Sequence, residues 1–409
     1  MIRKIELCFL MALIPLLNIR AQENNADGQE SFASALDSVE ISLLTCSPHE
    51  EIYSLYGHTA LRVNDKREGG RDMAVNYGMF SFGKPFFVLR FIFGLTDYEM
   101  GIEPFEAFCR QYEYYGSSVT QQTFNLTAEE KMAILAALDE NYKPDNRVYR
   151  YNYFYDNCTT RARDMVLHHI NGNVNWDTDS QSLPKGGEVT YRDMVHKCCQ
   201  HHPWVMYGND MLLGLQADFP TTREQQEFLP QNLMMNLCHA TRDFNGEVKS
   251  DTTQLVDAPV VIVPARTQVI EEDFPLRPRD MFLILLVVTI AITLIEAVSK
   301  KTLWWYDALL MIACGLAGIV LTMMLFSQHP TVRLNLQLLL FNPLPLFFVW
   351  RMIKRTRKKE RDWQYVLWIT LICLFFIGGF WQHYAEGMYL VASSLLVRNV
   401  WRFIKSKNN

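Results

Sequence analysis

The chain has 409 residues, of which 49% are hydrophobic and 20% are charged, and its formal net charge is −5. This length is enough for two or three domains. The sequence contains no internal repeat, phosphate-binding loop, zinc-ligand spacing or basic nucleic-acid patch, which argues against repeat proteins, P-loop nucleotide-binding proteins and nucleic-acid-binding proteins.

The N-terminus is typical of a secretory signal peptide. Arg3 and Lys4 precede a mostly apolar run, and Ala21 is a small residue at a suitable cleavage position. We therefore predict a signal peptide over residues 1–21. Two further charged residues, Glu6 and Arg20, are unusual in such a segment, so an uncleaved first anchor helix is the alternative.

The next part of the chain has the alternation of apolar and polar residues that is typical of strands. It predicts strands at 39–46, 58–65 and 73–80, of which the last two form a hairpin. Residues 81–100 are rich in aromatic side chains. In a soluble protein such a segment is core, whereas beside a membrane it can also be a lipid-facing surface.

Helical patterns follow. Thr127 and Glu130 have the spacing of a capping box and predict a helix over 128–142. Residues 190–240 predict two or three further helices, and residues 252–270 predict an extended segment.

The C-terminal third is apolar enough to cross a membrane repeatedly. Its apolar runs lie at 281–298, 304–326, 334–350, 364–382 and 387–403. Each approaches the ~20 residues that a membrane-spanning helix needs. Lysine and arginine are concentrated after the first and third runs and in the C-terminal tail. By the positive-inside rule we predict five spans, a cytoplasmic C-terminus and residues 22–279 outside the cytoplasm.

The third apolar run contains polar residues and a helix breaker. Asn335 and Gln337 precede the sequence Asn342–Pro345. Such residues at membrane depth are tolerated where the helix is buried by its neighbours or lines a cavity. The sequence therefore predicts either a kinked packing helix or the wall of a groove.

The predicted extracytoplasmic part contains six cysteines: Cys46, Cys109, Cys158, Cys198, Cys199 and Cys238. An oxidising compartment permits disulfides, and six cysteines allow 15 pairings, of which no spacing selects one.

Cys158 stands where a helix is predicted to begin. Ala162, Met165 and Val166 continue the inward stripe of that helix, and Asp156 or Asn157 can cap it. The helix dipole favours a thiolate at this position, and the free backbone N–H groups can hold an oxyanion. Cys158 is thus a candidate nucleophile, with a disulfide partner and a buried small side chain as alternatives.

A thiol nucleophile needs a base, and His58 is the best-placed candidate. It opens a strand after Gly57 and shares a face with Ala60, whose small size would leave room for a helix N-terminus. Asn76 on the neighbouring strand is a candidate to orient the imidazole. From spacing alone, a buried thiol and a separate hydrogen-bonded core histidine remain the alternative.

Three motifs carry a resemblance to known proteins. "YGHTALRV", "VNYGMF" and "YNYFYDNCTTRARD" occur in this order. Together they resemble the circularly permuted papain-like (NlpC-like) fold, in which the histidine strand precedes the cysteine helix. The chain more closely resembles the bacterial lipoprotein N-acyltransferase family called Lnb, in these motifs, in residues 208–237 and in the five-span tail.

The resemblance implies an α+β fold class with two domains after the signal peptide. A periplasmic papain-like thiol domain with a helical C-terminal extension would occupy residues 22–279. An all-α five-helix transmembrane domain would occupy residues 280–409. The protein would lie in the inner (cytoplasmic) membrane with its catalytic domain in the periplasm.

The resemblance also implies roles for the three residues above. Cys158 would be the nucleophile, His58 the general base and acid, and Asn76 the orienter of His58. An acyl chain would pass from a phospholipid, through a Cys158 thioester, to the α-amine of a diacylglyceryl-cysteine lipoprotein. Phospholipid, lipoprotein and membrane are the implied partners, with no metal, other cofactor or nucleic acid.

Residues flanking the nucleophile are candidates for binding substrate: Arg161, Tyr155 and Asn157. Arg161 could meet a lipid phosphate, although an exposed helix face explains the same residue. Two other functions stay open on sequence grounds. One is a thiol phospholipase or amidase of the same fold, and the other is a non-catalytic lipoprotein-binding membrane module.

Overall fold

The structure, a computed structural model, describes residues 36–49, 51–80, 85–176, 189–243, 253–266 and 274–406. The predicted signal peptide lies outside these residues. The chain divides into two compact units. The sheet unit comprises residues up to Phe87, Leu95–Glu188 and Thr221–Ile270, and the helical unit comprises Val88–Gly94, Val189–Pro220 and Glu271–Asn409.

An antiparallel sheet of seven strands forms the centre of the sheet unit. In chain order its strands are β1 (Val39–Cys46), β2 (His58–Asp65), β3 (Asp72–Met79), β4 (Asp97–Pro104), β5 (Val119–Thr123), β6 (Val148–Arg150) and β10 (Val260–Val263). Their order across the sheet is β10-β5-β1-β2-β3-β4-β6. The three strands predicted from alternation are confirmed, and the predicted hairpin is the β2–β3 pair.

A second, smaller sheet contains three short strands, which are β7 (Asn173–Asn175), β8 (Thr241–Asp243) and β9 (Thr253–Gln254).

Helices are numbered in chain order through both units. Those of the sheet unit are α2 (Phe105–Tyr115), α3 (Ala128–Tyr142), α4 (Cys158–Leu167), α7 (Arg223–Gln226) and α8 (Pro230–His239). They lie on both faces of the large sheet. Ile41, Leu43 and Leu61 share one buried cluster with residues of α3, α4 and α8. Leu44 and Ala60 belong to the cluster on the other face, which includes residues of α2.

The predicted capping box at the start of α3 is confirmed. The Thr127 hydroxyl accepts from the backbone N–H of Glu130 at 3.3 Å, and the Glu130 carboxylate accepts from the backbone N–H of Thr127 at 2.9 Å. Glu130 is fully buried and also accepts a 2.6 Å bond from Arg242. One carboxylate thereby caps a helix and pairs with a buried arginine.

The helical unit is built from these helices: α1 (Phe87–Ile92, apart from its first residue), α5 (Tyr191–Cys198), α6 (Pro203–Leu212), α9 (Pro278–Ser299), α10 (Trp304–Met324), α11 (Pro330–Arg333), α12 (Leu344–Lys358), α13 (Trp363–Gly378) and α14 (Met388–Lys405). Within the described residues, three stretches are long and apolar enough to cross a membrane: Pro278–Ser299, Trp304–Met324 and Pro330–Lys358. A fourth, Trp363–Gly378, is apolar but shorter.

The third predicted span differs from the sequence expectation. The α-helix begins at Leu344 rather than at 334, because the Asn-Pro-Leu-Pro sequence interrupts regular hydrogen bonding. The residues before the break form the 3-10 turn Leu336–Leu339. Asn335 and Gln337 donate to the backbone carbonyls of Met211 and Asp210, both at 2.8 Å. These buried amides are therefore satisfied by packing within the helical unit, as the kinked-helix interpretation expects.

The aromatic segment predicted at 81–100 divides between the two units. Residues 81–84 lie outside the described part of the chain. Residues 88–94 belong to the helical unit, where the backbone N–H of Gln328 donates to Phe93 at 3.0 Å. Leu89 and Phe91 are exposed, 43% and 39% respectively. The exposure of these two residues fits the lipid-facing interpretation, whereas Tyr98 and Met100 at the end of the segment are buried in the core, as the alternative expects.

Candidate active site

His58 is placed by a turn that requires glycine. Gly57 has a φ of +74°, and a Cβ at this position would lie 2.7 Å from the carbonyl oxygen of Cys46. Only glycine fits this conformation and this close approach. The chain then enters β2 with His58 as its first residue, paired in register with Cys46.

Cys158 is placed by the cap of α4. The Asn157 side chain accepts from the backbone N–H groups of Thr159 and Thr160 at 2.9 and 3.0 Å. The Thr160 hydroxyl in turn accepts from the backbone N–H of Asn157 at 2.9 Å, which completes a capping box. The Asn157 amide also donates to the backbone carbonyl of Phe228 at 2.8 Å. Cys158 is consequently held in the first position of a firmly capped helix.

The structure brings Cys158 and His58 into hydrogen-bond contact. The cysteine is 8% exposed, and its thiol also contacts the backbone of Thr59 and the hydroxyl of Thr159. Burial raises the pKa of a thiol, but the charge and hydrogen bond of His58, together with the contacts to Thr59 and Thr159, outweigh burial and hold the pKa of Cys158 below its ordinary value. These groups therefore favour the thiolate.

The same pair changes the titration of the histidine. Burial lowers the pKa of an imidazole, yet the charge of Cys158 and the hydrogen bonds to Cys158 and Asn76 hold the pKa of His58 above its ordinary value. A lowered thiol pKa beside a raised imidazole pKa means that each group favours the charged form of the other. Such a pair is suited to nucleophilic attack on an acyl carbon.

Helix α4 packs on a different face of β2 from the one expected. Ala60 lies against Phe105 and Phe108, on the face away from the helix. The helix packs on the opposite face, where the hydroxyls of Thr59 and Thr159 are 3.1 Å apart. The expectation that Ala60 makes room for the helix was wrong, because strand side chains alternate between faces. His58 reaches the thiol from the first position of the strand.

Asn76 and Glu103 extend the site behind His58. The Asn76 side-chain oxygen is 3.0 Å from Nε2 of His58, and its amide nitrogen donates to Glu103 at 2.7 Å. An ionised carboxylate can only accept hydrogen bonds, so it takes the amide nitrogen and leaves the amide oxygen facing the imidazole. Nε2 of His58 therefore carries a proton, and the other ring nitrogen is available for the thiol.

Sequence reasoning identified Asn76 but missed Glu103. The residue lies on β4, opposite Ala74 of β3, and so one strand beyond Asn76. Burial raises the pKa of Glu103, and the bond from Asn76 and the charge of His58 partly oppose this rise. Its signal in the sequence was weak, because a single glutamate in a strand becomes informative only once the strand order is known.

Next to the thiol lie a backbone N–H donor and two tyrosine rings. Among the described residues, the backbone N–H of Cys158 has no hydrogen-bond acceptor. Gly78 has a φ of +82°, and a Cβ there would lie 3.6 Å from the Cβ of Cys158 and 3.7 Å from the ring of Tyr151. The ring of Tyr151 stacks on that of Tyr98 at 4.1 Å. The free N–H group can stabilise an oxyanion, and the rings form an apolar wall.

Comparison with models of known protein families gives two matches. Residues 29–197 match the Lnb N-terminal periplasmic domain, and residues 269–409 match the Lnb transmembrane domain. The chain belongs to the Lnb family. Comparison with curated proteins gives no match, and comparison with solved structures gives none either.

The two matches confirm the family that the sequence motifs predicted. This Lnb protein is membrane-anchored and combines a β-rich domain of periplasmic type with a helical membrane domain. His58, Asn76, Glu103 and Cys158 all lie inside the matched periplasmic domain. Family membership suggests a role like that of a lipoprotein N-acyltransferase.

The three candidate substrate-binding residues of this Lnb protein have different surroundings. Arg161 donates two hydrogen bonds to Asp156 at 2.6 and 2.8 Å, and its guanidinium lies 3.5 Å from the centre of the Tyr149 ring. Tyr155 is 39% exposed. The side chain of Asn157 is used in capping α4. Substrate binding by these residues stays a prediction, and only Tyr155 presents a large exposed surface.

The cysteines of this Lnb protein are free in every described position. Cys158 is therefore available as a thiol. None of the six cysteines in the predicted extracytoplasmic part forms a disulfide with another described residue.

Proposed function

We propose that this protein is a membrane-bound lipoprotein N-acyltransferase in which Cys158 is the nucleophile and His58 the general base and acid. The observation that carries the proposal is the hydrogen-bonded Cys158–His58 pair at the start of a capped helix, in a chain of the Lnb family. Asn76 and Glu103 would position the imidazole rather than touch substrate.

The first half-reaction transfers an acyl chain to the enzyme. The Cys158 thiolate attacks the ester carbonyl of a membrane phospholipid, and a C–S bond forms. The oxyanion accepts from the free backbone N–H of Cys158. The ester C–O bond then breaks, and His58 gives its proton to the departing alkoxide, which leaves a lysophospholipid and an acyl thioester.

The second half-reaction transfers the chain to an amine. The neutral α-amine of a diacylglyceryl-cysteine lipoprotein attacks the thioester, and His58 takes its proton. The C–S bond breaks, the amide forms and the Cys158 thiolate is restored beside the imidazolium. Both lipid substrates share a membrane with the anchored enzyme, which raises their effective concentration at the site.

We infer that the sheet unit has the permuted papain-like arrangement and that the helical unit crosses the membrane five times. The order of His58 on β2 before Cys158 on α4 supports the permutation. For the spans, α13 and α14 accompany the three longer apolar stretches, and basic residues follow α9, α12 and α14. Reporter fusions placed after each helix test the five-span topology, and a periplasmic C-terminus would contradict it.

The function is tested by mass spectrometry of lipoprotein N-termini from cells that lack their own N-acyltransferase. Expression of this chain should add an N-acyl group, and the Cys158→Ala variant should add none. Cys109→Ala is the matched control, since this thiol also lies in the sheet unit but outside the His58 contact, and it should keep activity.

The intermediate offers a second readout. Purified protein incubated with phospholipid alone should gain one acyl mass on the peptide that contains Cys158, and hydroxylamine should remove it. Release of free fatty acid without acylation of any amine acceptor would instead identify a hydrolase and reject the proposed transfer.

A further inference from the structure

A basic cavity lies within the helical unit where the C-terminal ends of α9, α12 and α14 meet. Its volume is about 280 Å³, many times the space that one water needs. Its lining includes the cationic residues Lys300, Lys301, Lys359, Arg402 and Lys405. A small polar group together with several waters fits this space.

The charge of Arg402 is already balanced in the wall of the cavity. Arg402 donates to Glu296 at 2.7 Å and to Asp307 at 2.6 Å. Arg398 donates to the same two carboxylates at 3.1 and 2.7 Å. Two carboxylates and two guanidiniums thus form a buried, neutral group that joins α9, α10 and α14.

The lysines of the cavity have no such partners. In the part of the chain that the structure describes, Lys300, Lys301, Lys359 and Lys405 have no carboxylate within 4.0 Å. Glu360, the other acid in the lining, pairs instead with the neighbouring Lys358. The cavity therefore carries an excess of positive charge.

Two of these lysines hold an unusual backbone conformation. Lys300 and Lys359 end α9 and α12 with φ values of +56° and +57°, a region in which glycine or asparagine is usual. The helix dipole favours a lysine near a helix end, but it does not require the strained position. Strained non-glycine residues that cluster around one cavity are a feature of binding sites.

We propose that this cavity binds the phosphate of an anionic phospholipid headgroup. The positive-inside rule puts these helix ends at the cytoplasmic surface, where anionic lipids attract basic pockets between helices. Trp401 in the lining provides an aromatic surface at the depth where lipid headgroups lie. The bound lipid would join three helices of the membrane domain, a role separate from acyl transfer.

The test is thermal unfolding of the full chain in neutral detergent with added lipid. Phosphatidylglycerol should raise Tm by about 4 °C relative to phosphatidylcholine, since a ligand that binds only the folded state stabilises it. Inorganic phosphate, compared with chloride at equal ionic strength, distinguishes a free anion from a headgroup. An equal rise in Tm with inorganic phosphate would show that a free anion is a sufficient ligand of this site. No rise in Tm with either ligand would overturn the proposal.

Charge-matched variants locate the effect. Lys300→Gln with Lys359→Gln should lose most of the lipid-dependent rise. Lys354→Gln with Arg357→Gln, two changes on α12 outside the cavity, should retain it. Equal losses in both double variants would show that general surface charge causes the effect, and would reject the site.

A second double variant keeps the test decisive if the Lys300→Gln, Lys359→Gln variant does not fold. Lys301→Gln with Lys405→Gln changes two cavity lysines that do not have the left-handed conformation. This variant should also lose the lipid-dependent rise, and native mass spectrometry should show fewer retained phosphatidylglycerol molecules than in the unmodified chain. Undiminished retention would contradict the proposal.

Discussion

The side-chain amide of Asn76 donates a 2.7 Å hydrogen bond to the carboxylate of Glu103. This bond turns the amide oxygen towards His58, so a neutral imidazole would carry its proton on the nitrogen that faces Asn76. A residue on β4 is thus linked through Asn76 to the histidine on β2, although the two strands are not neighbours in the sheet.

Replacement of Glu103 by glutamine should weaken catalysis without abolishing it. Glutamine can donate as well as accept, so the orientation of the Asn76 amide would no longer be unique. Loss of about 1.4 kcal/mol, the value of one good hydrogen bond, corresponds to roughly tenfold in kcat/KM. The measurement is N-acyl transfer as a function of pH.

A shifted pH profile of N-acyl transfer in Glu103→Gln would show that Glu103 positions the imidazole. A purely structural role would leave the shape of the profile unchanged. The control is Glu99→Gln on the same strand, whose carboxylate lies 3.7 Å from Arg147 in a partly exposed pair and should leave the profile unchanged. Unaltered rates and pH dependence in Glu103→Gln would show that the carboxylate does not set the tautomer.

The reactivity of Cys158 should depend on His58 in a defined direction. Because the pKa of Cys158 is lowered, the midpoint of its alkylation-rate profile should lie at a lower pH than that of an ordinary cysteine. The rate should fall as the pH drops through that lowered pKa, since the thiolate is then protonated. Iodoacetamide labelling, read by mass spectrometry of the Cys158 peptide, measures this profile.

In His58→Gln the charge that favours the thiolate is gone and burial remains. The pKa of Cys158 should then rise above its ordinary value, so the midpoint of the profile should move to a pH above that of an ordinary cysteine. His169→Gln, just after the same helix and hydrogen-bonded to the backbone carbonyl of Met165, should keep the original profile. Superimposable profiles for the His58 variant and the unmodified chain would refute the pairing.

Removal of the Thr59 hydroxyl and removal of the Thr159 hydroxyl should have strongly coupled effects on the free energy of unfolding, because the two hydroxyls are in contact. Thr159→Val leaves the buried hydroxyl of Thr59 without this partner and should lower the free energy of unfolding by about 1–2 kcal/mol. Thr59→Val with Thr159→Val removes both hydroxyls and should cost less than the sum of the single changes. Thermal unfolding of the full chain in detergent measures all three, and simple additivity would contradict direct contact.

Glu130 should make the stability of the protein sensitive to acid. Burial raises the pKa of this carboxyl, but the bonds from Arg242 and two backbone N–H groups outweigh burial and lower its pKa in the folded state. A lowered folded pKa contributes stability that is present above the unfolded pKa of about 4.3 and is lost as the pH falls through the folded pKa.

Glu130→Gln should accordingly destabilise the chain by about 3 kcal/mol at neutral pH, because Arg242 stays buried without a carboxylate. The variant should also lose part of the acid dependence below pH ~4. Its neighbour Glu129 is exposed, so Glu129→Gln should change neither property by a measurable amount. Parallel stability–pH curves for Glu130→Gln and the unmodified chain would contradict the assignment.

Several features of this protein were predictable because their causes are local. Alternation of apolar residues predicted the strands at 39–46 and 58–65, and the spacing of Thr127 and Glu130 predicted a capping box. The position of Cys158 at a helix start followed from the stripe of apolar residues after it. Motif resemblance added the family, which the two domain matches confirm.

The chain by itself thus determined the strands, the capped helices, the candidate nucleophile and the apolar runs. Only the tertiary structure decided that Glu103 lies behind Asn76 and that α4 packs on the Thr59 face of β2. It also assigned residues 189–220 to the helical unit. These relationships depend on strand order, the face of a sheet and contacts between distant segments, and no local sequence pattern records them.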